Sequence, residues 1–327
     1  MTAHFAPTEG SQHLPVACAG LVVADLFLPP LEAMPRSGEI VTVPDPLSDV
    51  GGCAANTATA LVALGVEATL VARVGSDALG NWVHETLTNK GVGVLAVCES
   101  RLPTSQTVIV TIKGDDRRYI HSVGANAELT AEEIALGSER RSVLVVGGFF
   151  ALPAITAERL AEVFAEARSR GTMTVLDIVV PHGAPKAAEQ LKVVLPHVDC
   201  FMPNQDEALE LTGESDPARQ AAALLEWGCG AVIITKGSNG ALFMDSDNLI
   251  NVQPLEVDFV DGSGAGDAFA AGIVVGMREK WPIGQTLRFA AAVGASVTRG
   301  LGCTSTLFTR EEALSAAERV VLTTPTD

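Results

Sequence analysis

Apolar runs of strand length alternate along the chain with stretches whose apolar positions recur every three to four residues. "VACAGLVV" (16–23) predicts a buried strand, "NTATALVALG" (56–65) a helix stopping at Gly65, and "EATLVARVG" (67–75) another strand. The alternation continues with a helix over 78–91, strand "SVLVVGG" (142–148), helix 157–171, strands "TVLDIVV" (174–180) and "VDCFMPN" (198–204), helix 217–228 and strand "GAVIITKG" (230–237). These strands are continuously apolar, as in a parallel sheet covered on both faces by helices. The expected fold class is therefore α/β, with a doubly wound, mostly parallel central sheet flanked by helices. "GEIVTVPD" (38–45) and "TVIVTIKGDDRRYIHSV" (107–123) break the pattern by alternating apolar and polar residues, the second with a turn at Gly114-Asp115-Asp116. Strands with one wet face predict a small β-sheet lid, formed from about 36–48 and 104–123. The lid stands on one domain over 14–327, and the polar residues 1–13 read as a disordered tail.

Composition narrows the partners. The 327 residues carry a net charge of −17, from 22 basic and 39 acidic side chains. Such a surface repels nucleic acid and anionic membranes. The apolar run "LPVACAGLVVA" (14–24) lacks a basic flank and is too short to cross a bilayer. The six cysteines form no CxxC pair, which argues against zinc. They read as reduced, buried thiols in a cytoplasmic protein.

The chemistry concentrates in "VDFVDGSGAGDAFAAG" (257–272). "LEVDFV" (255–260) predicts a strand, "DGSGAG" a loop, and "DAFAAGIVVGMREK" a helix. Gly264, Ala265 and Gly266 then stand at a helix N-terminus, where unpaired amides and the positive dipole end suit an anion. Asp267 falls in the first turn, placed either to cap the helix or to take a proton from a hydroxyl while the amides stabilise a transferring phosphoryl group. No Lys-Ser/Thr follows, so the loop is not a Walker A motif, and it is not a complete GxGxxG fingerprint. "DVGGCAANTATALVALG" (49–65) repeats the logic. Gly51 and Gly52 permit close approach, Asn56 opens a helix, and Asp25 lies at the end of the first strand. Carboxylate and amide groups of this kind suit the hydroxyls of a polyol, while a helix-capping Asn56 and a turn-forming Asp25 are the structural alternatives.

Taken together, these motifs resemble the PfkB-type carbohydrate kinases of the ribokinase-like superfamily, over essentially residues 15–320. "DGSGAGD" is similar to the family's D-T-x-G-A-G-D signature, "GGCAANTATALVALG" to its N-terminal glycine-rich signature, "MPNQDEALELTG" (202–213) to its N-x-x-E element, and "VIITKGSNGALF" (232–243) to its nucleotide-side strand and turn. The resemblance implies an ATP-dependent kinase acting on a sugar hydroxyl, with Asp267 as base and Gly264, Ala265 and Gly266 as anion hole. It implies Asn204 and Glu207 near the phosphates, with Glu207 placing Mg²⁺ through water. Lys236, Gly237 and Gly240 would line the nucleotide side together with 291–300. Asp25, Gly51, Gly52 and Asn56 would hold the sugar. It further implies a homodimer paired through the lid, and a monovalent cation such as K⁺ at Asp261 and the carbonyls around 298–302.

The departures are equally specific. Gly262 stands where the signature has Thr, Cys53 where ribokinases carry Lys, and "DIVVP" (177–181) lacks a D-x-N-x-R pattern. Two other functions therefore stay open. One is a nucleoside kinase of the same superfamily with Phe149 and Phe150 as a base shelf; the other is a sugar- or nucleotide-binding protein without catalysis. Arg117 and Arg118 read as solvated flanks of the lid turn, with an anionic substrate group as their alternative partner. His182 and His197 read as surface residues.

Overall fold

The structure is a computed structural model that describes residues 13–114, 117–180 and 186–324. The expected tail lies outside the described residues except for His13, as do Asp115, Asp116 and His182.

The central sheet has ten strands among the described residues. From one edge they run Leu322–Thr323, Leu249–Val252, Ala241–Asp245, Ala231–Thr235, Cys200–Phe201, Met173–Leu176, Val143–Gly147, Val16–Gly20, Ala68–Gly75 and Gly93–Ser100. Ala231–Thr235 and the strands beyond it are mutually parallel, whereas the first three strands join antiparallel. Alternation along each strand sends side chains to two cores. Val16 and Cys18 pack with the helices Cys53–Ala63, Ala265–Glu279 and Ile283–Val297, and Ala17 and Ala19 pack on the opposite side with Ala157–Ser169. The doubly wound α/β expectation holds.

A separate four-stranded sheet has the order Leu47–Gly51, Val23–Phe27, Gln106–Thr111, Arg117–Ser122. Three local expectations differ from it. The single strand over 16–23 is two strands in different sheets, because the chain turns at Gly20 (φ 135°) and Asn126 holds the next segment by donating to the Val22 carbonyl at 3.0 Å. The segment 38–45 forms no strand: Ile40 is 92% exposed, and the pairing that the alternation suggested is made instead by Leu47–Gly51 against Val23–Phe27. Residues 255–260 also form no strand. They hang instead from the 283–297 helix end, with the Val260 amide donating to the Thr298 carbonyl at 2.7 Å.

Candidate active site

Three helix N-termini converge beyond the carboxyl ends of the parallel strands, where ligands of open α/β sheets bind. Asp267 comes from the first turn of Ala265–Glu279, Cys53 and Asn56 from Cys53–Ala63, and Glu207 from Gln205–Thr212. Asp177 follows directly on the strand Met173–Leu176. Cys53, Asp177, Glu207 and Asp267 border a cleft of about 160 Å³ together with Asn204, Met202, Thr235 and Gly266, and Asn56 reaches it through Asp267.

Asn56 Nδ2 donates to Asp267 Oδ2 at 2.8 Å, fixing the carboxylate across 211 residues of sequence. The Cys53 sulfur and one oxygen each of Asp177 and Asp267 lie within 4.8 Å of one another. Burial lifts Asp267 to about 7, against the pull of hydrogen bonds from Asn56 and Cys53. Burial also pushes Asp177 well above the carboxylate range, reinforced by the charges of Asp267 and Glu207, and it raises the Cys53 thiol. Glu207 is lifted to about 7, first by burial, although it accepts backbone hydrogen bonds from Asn204 and Val180. Asn204 and Glu207 form a reciprocal capping box, each side chain accepting the other's amide at 2.9 Å. The N-x-x-E element therefore has a structural task besides any ligand it touches.

Of the amides expected to form the anion hole, that of Ala265 already has a partner. Ala265 donates its amide to the Gly262 carbonyl at 3.3 Å, and the first full helical bond runs from Ala268 to Gly264 at 2.9 Å. The amides of Gly266 and Asp267 lie in the turn that precedes the intrahelical ladder. Nothing lies within 4 Å of where a Cβ on Gly266 would point, so that flank is open. Gly264 serves geometry: its φ is 76°, and a Cβ there would fall 2.3 Å from the Cys303 carbonyl oxygen.

Asp25 is 9% exposed, opposite Asp49 in the lid register. Burial raises it to about 7, with Asp49 and Asp267 adding to the shift and a Thr107 hydrogen bond opposing it. Gly51 leaves room for this carboxylate, since a Cβ would fall 1.8 Å from Asp25 Oδ2. Thr107 Oγ1 also lies 3.0 Å from His121 Nδ1, and Cys303 Sγ lies 3.9 Å from Asp25 Oδ2. Asn56 Oδ1 is buried without a hydrogen-bond partner among the described residues. Gly52 sits against the Leu21 carbonyl and lets the 53–63 helix start there.

On the other flank, Thr235 ends its strand at the cleft and Lys236 follows, its Nζ 3.5 Å from Asn251 Oδ1 and its pKa lowered by burial. Gly237 begins the turn after it. Gly240 instead backs onto Val252, whose carbonyl oxygen would lie 2.0 Å from a Cβ, so it serves the hairpin turn.

Three of the expected residues, Arg117, Asp261 and Phe149, have other contacts. Arg117 is not a solvated turn flank: its side chain is 22% exposed and donates from Nη1 to Asp261 Oδ1 at 2.9 Å and to Ser263 Oγ at 3.2 Å. Asp261, offered as the cation ligand, thus already carries a guanidinium, and the Thr298 carbonyl offered beside it accepts the amides of Val260 and Asp261 at 2.7 and 3.2 Å. Phe149 is buried in the core at 2% exposure and presents no shelf. Sequence reasoning missed Asp177, Thr107 and His121. Asp177 had a signal in its place at the carboxyl end of a buried strand; Thr107 and His121 had none, because lid pairing alone brings them together.

The family model for pfkB family carbohydrate kinases matches residues 14–310. The chain is 28% identical over 270 residues to the ATP-dependent 6-phosphofructokinase isozyme 2 of Escherichia coli (strain K12), covering 79% of this chain and 84% of that one. It is 26% identical over 291 residues to the ribokinase of Haemophilus influenzae, covering 86% and 92%. The crystal structure of ribokinase from Thermotoga maritima superposes with a TM-score of 0.78 at 23% identity, covering 94% of this chain and 100% of that one. The glycine-loop cleft and the two-sheet architecture are those of a sugar-kinase class of enzyme. The chain belongs to the pfkB family of carbohydrate kinases. Among the described residues, no helix is long and apolar enough to cross a membrane.

Proposed function

We propose that the chain transfers the γ-phosphoryl group of ATP to a hydroxyl, primary by preference, of a sugar or sugar derivative. One observation carries the reading: a carboxylate lifted to about 7, Asp267, stands at the cleft in the first turn of a helix, beside a Gly266 whose Cα flank is open. A base whose pKa is raised toward the working pH accepts a proton with more driving force than an ordinary carboxylate. Asp267 takes the hydroxyl proton, held on line by Asn56. The Gly266 and Asp267 amides, with the turn at Gly264 and Ala265, stabilise charge on the transferring oxygens.

The donor set fits Mg²⁺ and a nucleotide. Glu207 and Asp177 offer hard oxygens at the cleft wall, the type of ligand Mg²⁺ takes, partly through water. When bound, Mg·ATP supplies the phosphoryl group and neutralises its charge. Asn204, Lys236 and Gly237 border the nucleotide side, and Gly240 shapes their turn. On the acceptor side, Asp25 and the unsatisfied Asn56 Oδ1 suit ligand hydroxyls, with Gly51 and Gly52 clearing space. Thr107 and His121 extend this wall from the lid. Closure of the lid over the acceptor would exclude water and limit wasteful hydrolysis. Exposed Tyr119 (57%) and Ile120 (60%) on the lid support pairing of two copies there, and the free cysteines among the described residues suit a reducing, cytoplasmic setting.

The test is ATP-dependent phosphoryl transfer across pentoses, hexoses, ketoses, sugar acids, sugar phosphates and nucleosides. Transfer to a sugar supports the reading, transfer to nucleosides alone replaces the acceptor class, and ligand binding without transfer across the panel refutes it.

A further inference from the structure

We infer that Arg117 is a positioning residue that latches the lid onto the phosphoryl-binding loop, and that glycine at position 262 is what seats it. The inference rests on the kinase reading for its effect on turnover but not for the latch itself. Arg117 opens the strand Arg117–Ser122 at the rim of the lid sheet, paired with Thr111. Its guanidinium reaches 144 residues along the sequence to Asp261 and also meets Ser263. Both loop partners are buried, at 7% and 6% exposure. Between them lies Gly262, and a Cβ there would fall 3.1 Å from Arg117 Nη1, 3.3 Å from Nη2 and 3.6 Å from Cζ. The guanidinium therefore rests across the Gly262 Cα: a Cβ alone would ask it to give by a few tenths of an ångström, and a branched side chain such as Thr by more.

The charge arrangement makes lid position and loop order a single event. A buried carboxylate is costly without a counter-charge, and the counter-charge of Asp261 sits on the moving part. Lid opening strips Asp261 of its guanidinium. Lid closure restores the pair and pins residues 261–263 on one side, while the Thr298 carbonyl holds the Asp261 amide on the other. The residues thus pinned lead directly into Gly264–Asp267, so the anion hole and the base are aligned when the acceptor is enclosed. This arrangement ties phosphoryl transfer to lid closure, and it disfavours reaction of the phosphoryl group with water while the lid is open.

The experiment compares wild type with Arg117→Met, Arg117→Lys, Gly262→Thr and the double variant Arg117→Met/Gly262→Thr. It reads kcat, KM for acceptor and for ATP, and ATP hydrolysed per acceptor phosphorylated. Backbone hydrogen exchange over 106–122 and 261–268 is measured in parallel. Arg117→Met should lower kcat by about tenfold or more, as small misplacements of reacting groups do. KM for ATP should stay near wild type, and the hydrolysis ratio should rise. Arg117→Lys and added methylguanidinium should each restore part of the loss. Gly262→Thr should reproduce the Met phenotype, with no further loss in the double variant. Exchange should accelerate together in both segments. Unchanged kcat and hydrolysis ratio in Arg117→Met would overturn the inference, as would losses that multiply in the double variant. If wild type transfers phosphate to nothing, the kinase reading fails by itself, and coupled or uncoupled exchange in the two segments still decides the latch.

Discussion

Asp25 is the residue at which stability and binding should move in opposite directions. Its carboxylate is raised from an ordinary 3.8 to about 7, chiefly by burial. In the unfolded chain it ionises freely, so folding at neutral pH works against its charge. Three or so pK units at about 1.4 kcal/mol each make that cost about 4 kcal/mol. The sign follows from the raised value: the cost is absent below pH 3.8, grows as the pH rises, and is complete above about 7. Asp25→Asn removes the charge at nearly constant volume and keeps an oxygen to accept from Thr107. With about 2.1 cal/mol/K per residue of unfolding entropy, a full 4 kcal/mol corresponds to a melting point higher by roughly 6 °C at pH 8. The gain should shrink as the pH falls toward 5. The same change should raise KM for the acceptor about 10- to 100-fold, the usual loss for a hydrogen bond to a charged group. Differential scanning calorimetry of the ligand-free protein across this pH range, with steady-state kinetics beside it, checks both arms. An Asn variant that melts below wild type at pH 8, or whose gain ignores pH, refutes the burial argument. An unchanged acceptor KM removes Asp25 from the sugar site.

Three further outcomes follow from the site. kcat/KM for the acceptor should fall as pH drops below about 7, because Asp267 must be ionised to act as base; a profile flat from pH 5.5 to 8 would contradict this. Glu207→Gln should keep the capping box and, by removing a charge that burial disfavours, melt at or above wild type at pH 8, while raising the Mg²⁺ concentration needed for half-maximal rate by roughly tenfold, as read by calorimetry and by Mg²⁺ titration of activity. Gly264→Ala places a Cβ 2.3 Å from the Cys303 carbonyl oxygen at a φ of 76°, and kinetics should show kcat lowered by about tenfold or more with acceptor KM little changed.

The central sheet was legible because buried parallel strands write themselves as unbroken apolar runs: 142–148 and 230–237 appear there, and 174–180 does as far as Leu176. The glycine loop and its helix were legible for the same kind of reason, since adjacent small residues and Asp267 form one contiguous string. What alternation could not resolve was partnership. Residues 38–45 alternate yet remain exposed, while 23–27 look like the tail of a buried strand yet pair in the lid. Apolar patterning records how a side chain faces solvent, not which strand lies beside it. The same limit hid the contacts of Arg117, Thr107 and His121, each made across long sequence separation by the fold of the lid. Gly262 read as a lost hydroxyl, and the structure supplies its reason in the guanidinium that rests on it.

The most direct measurement is the turnover of Asp267→Asn with an acceptor on which wild type is active, alongside ATP affinity by calorimetry. Asparagine keeps the shape and can still accept from Asn56 but cannot take the hydroxyl proton. The account predicts a fall in kcat of about 10²- to 10⁴-fold with ATP affinity near wild type, and a kcat within a fewfold of wild type would contradict it.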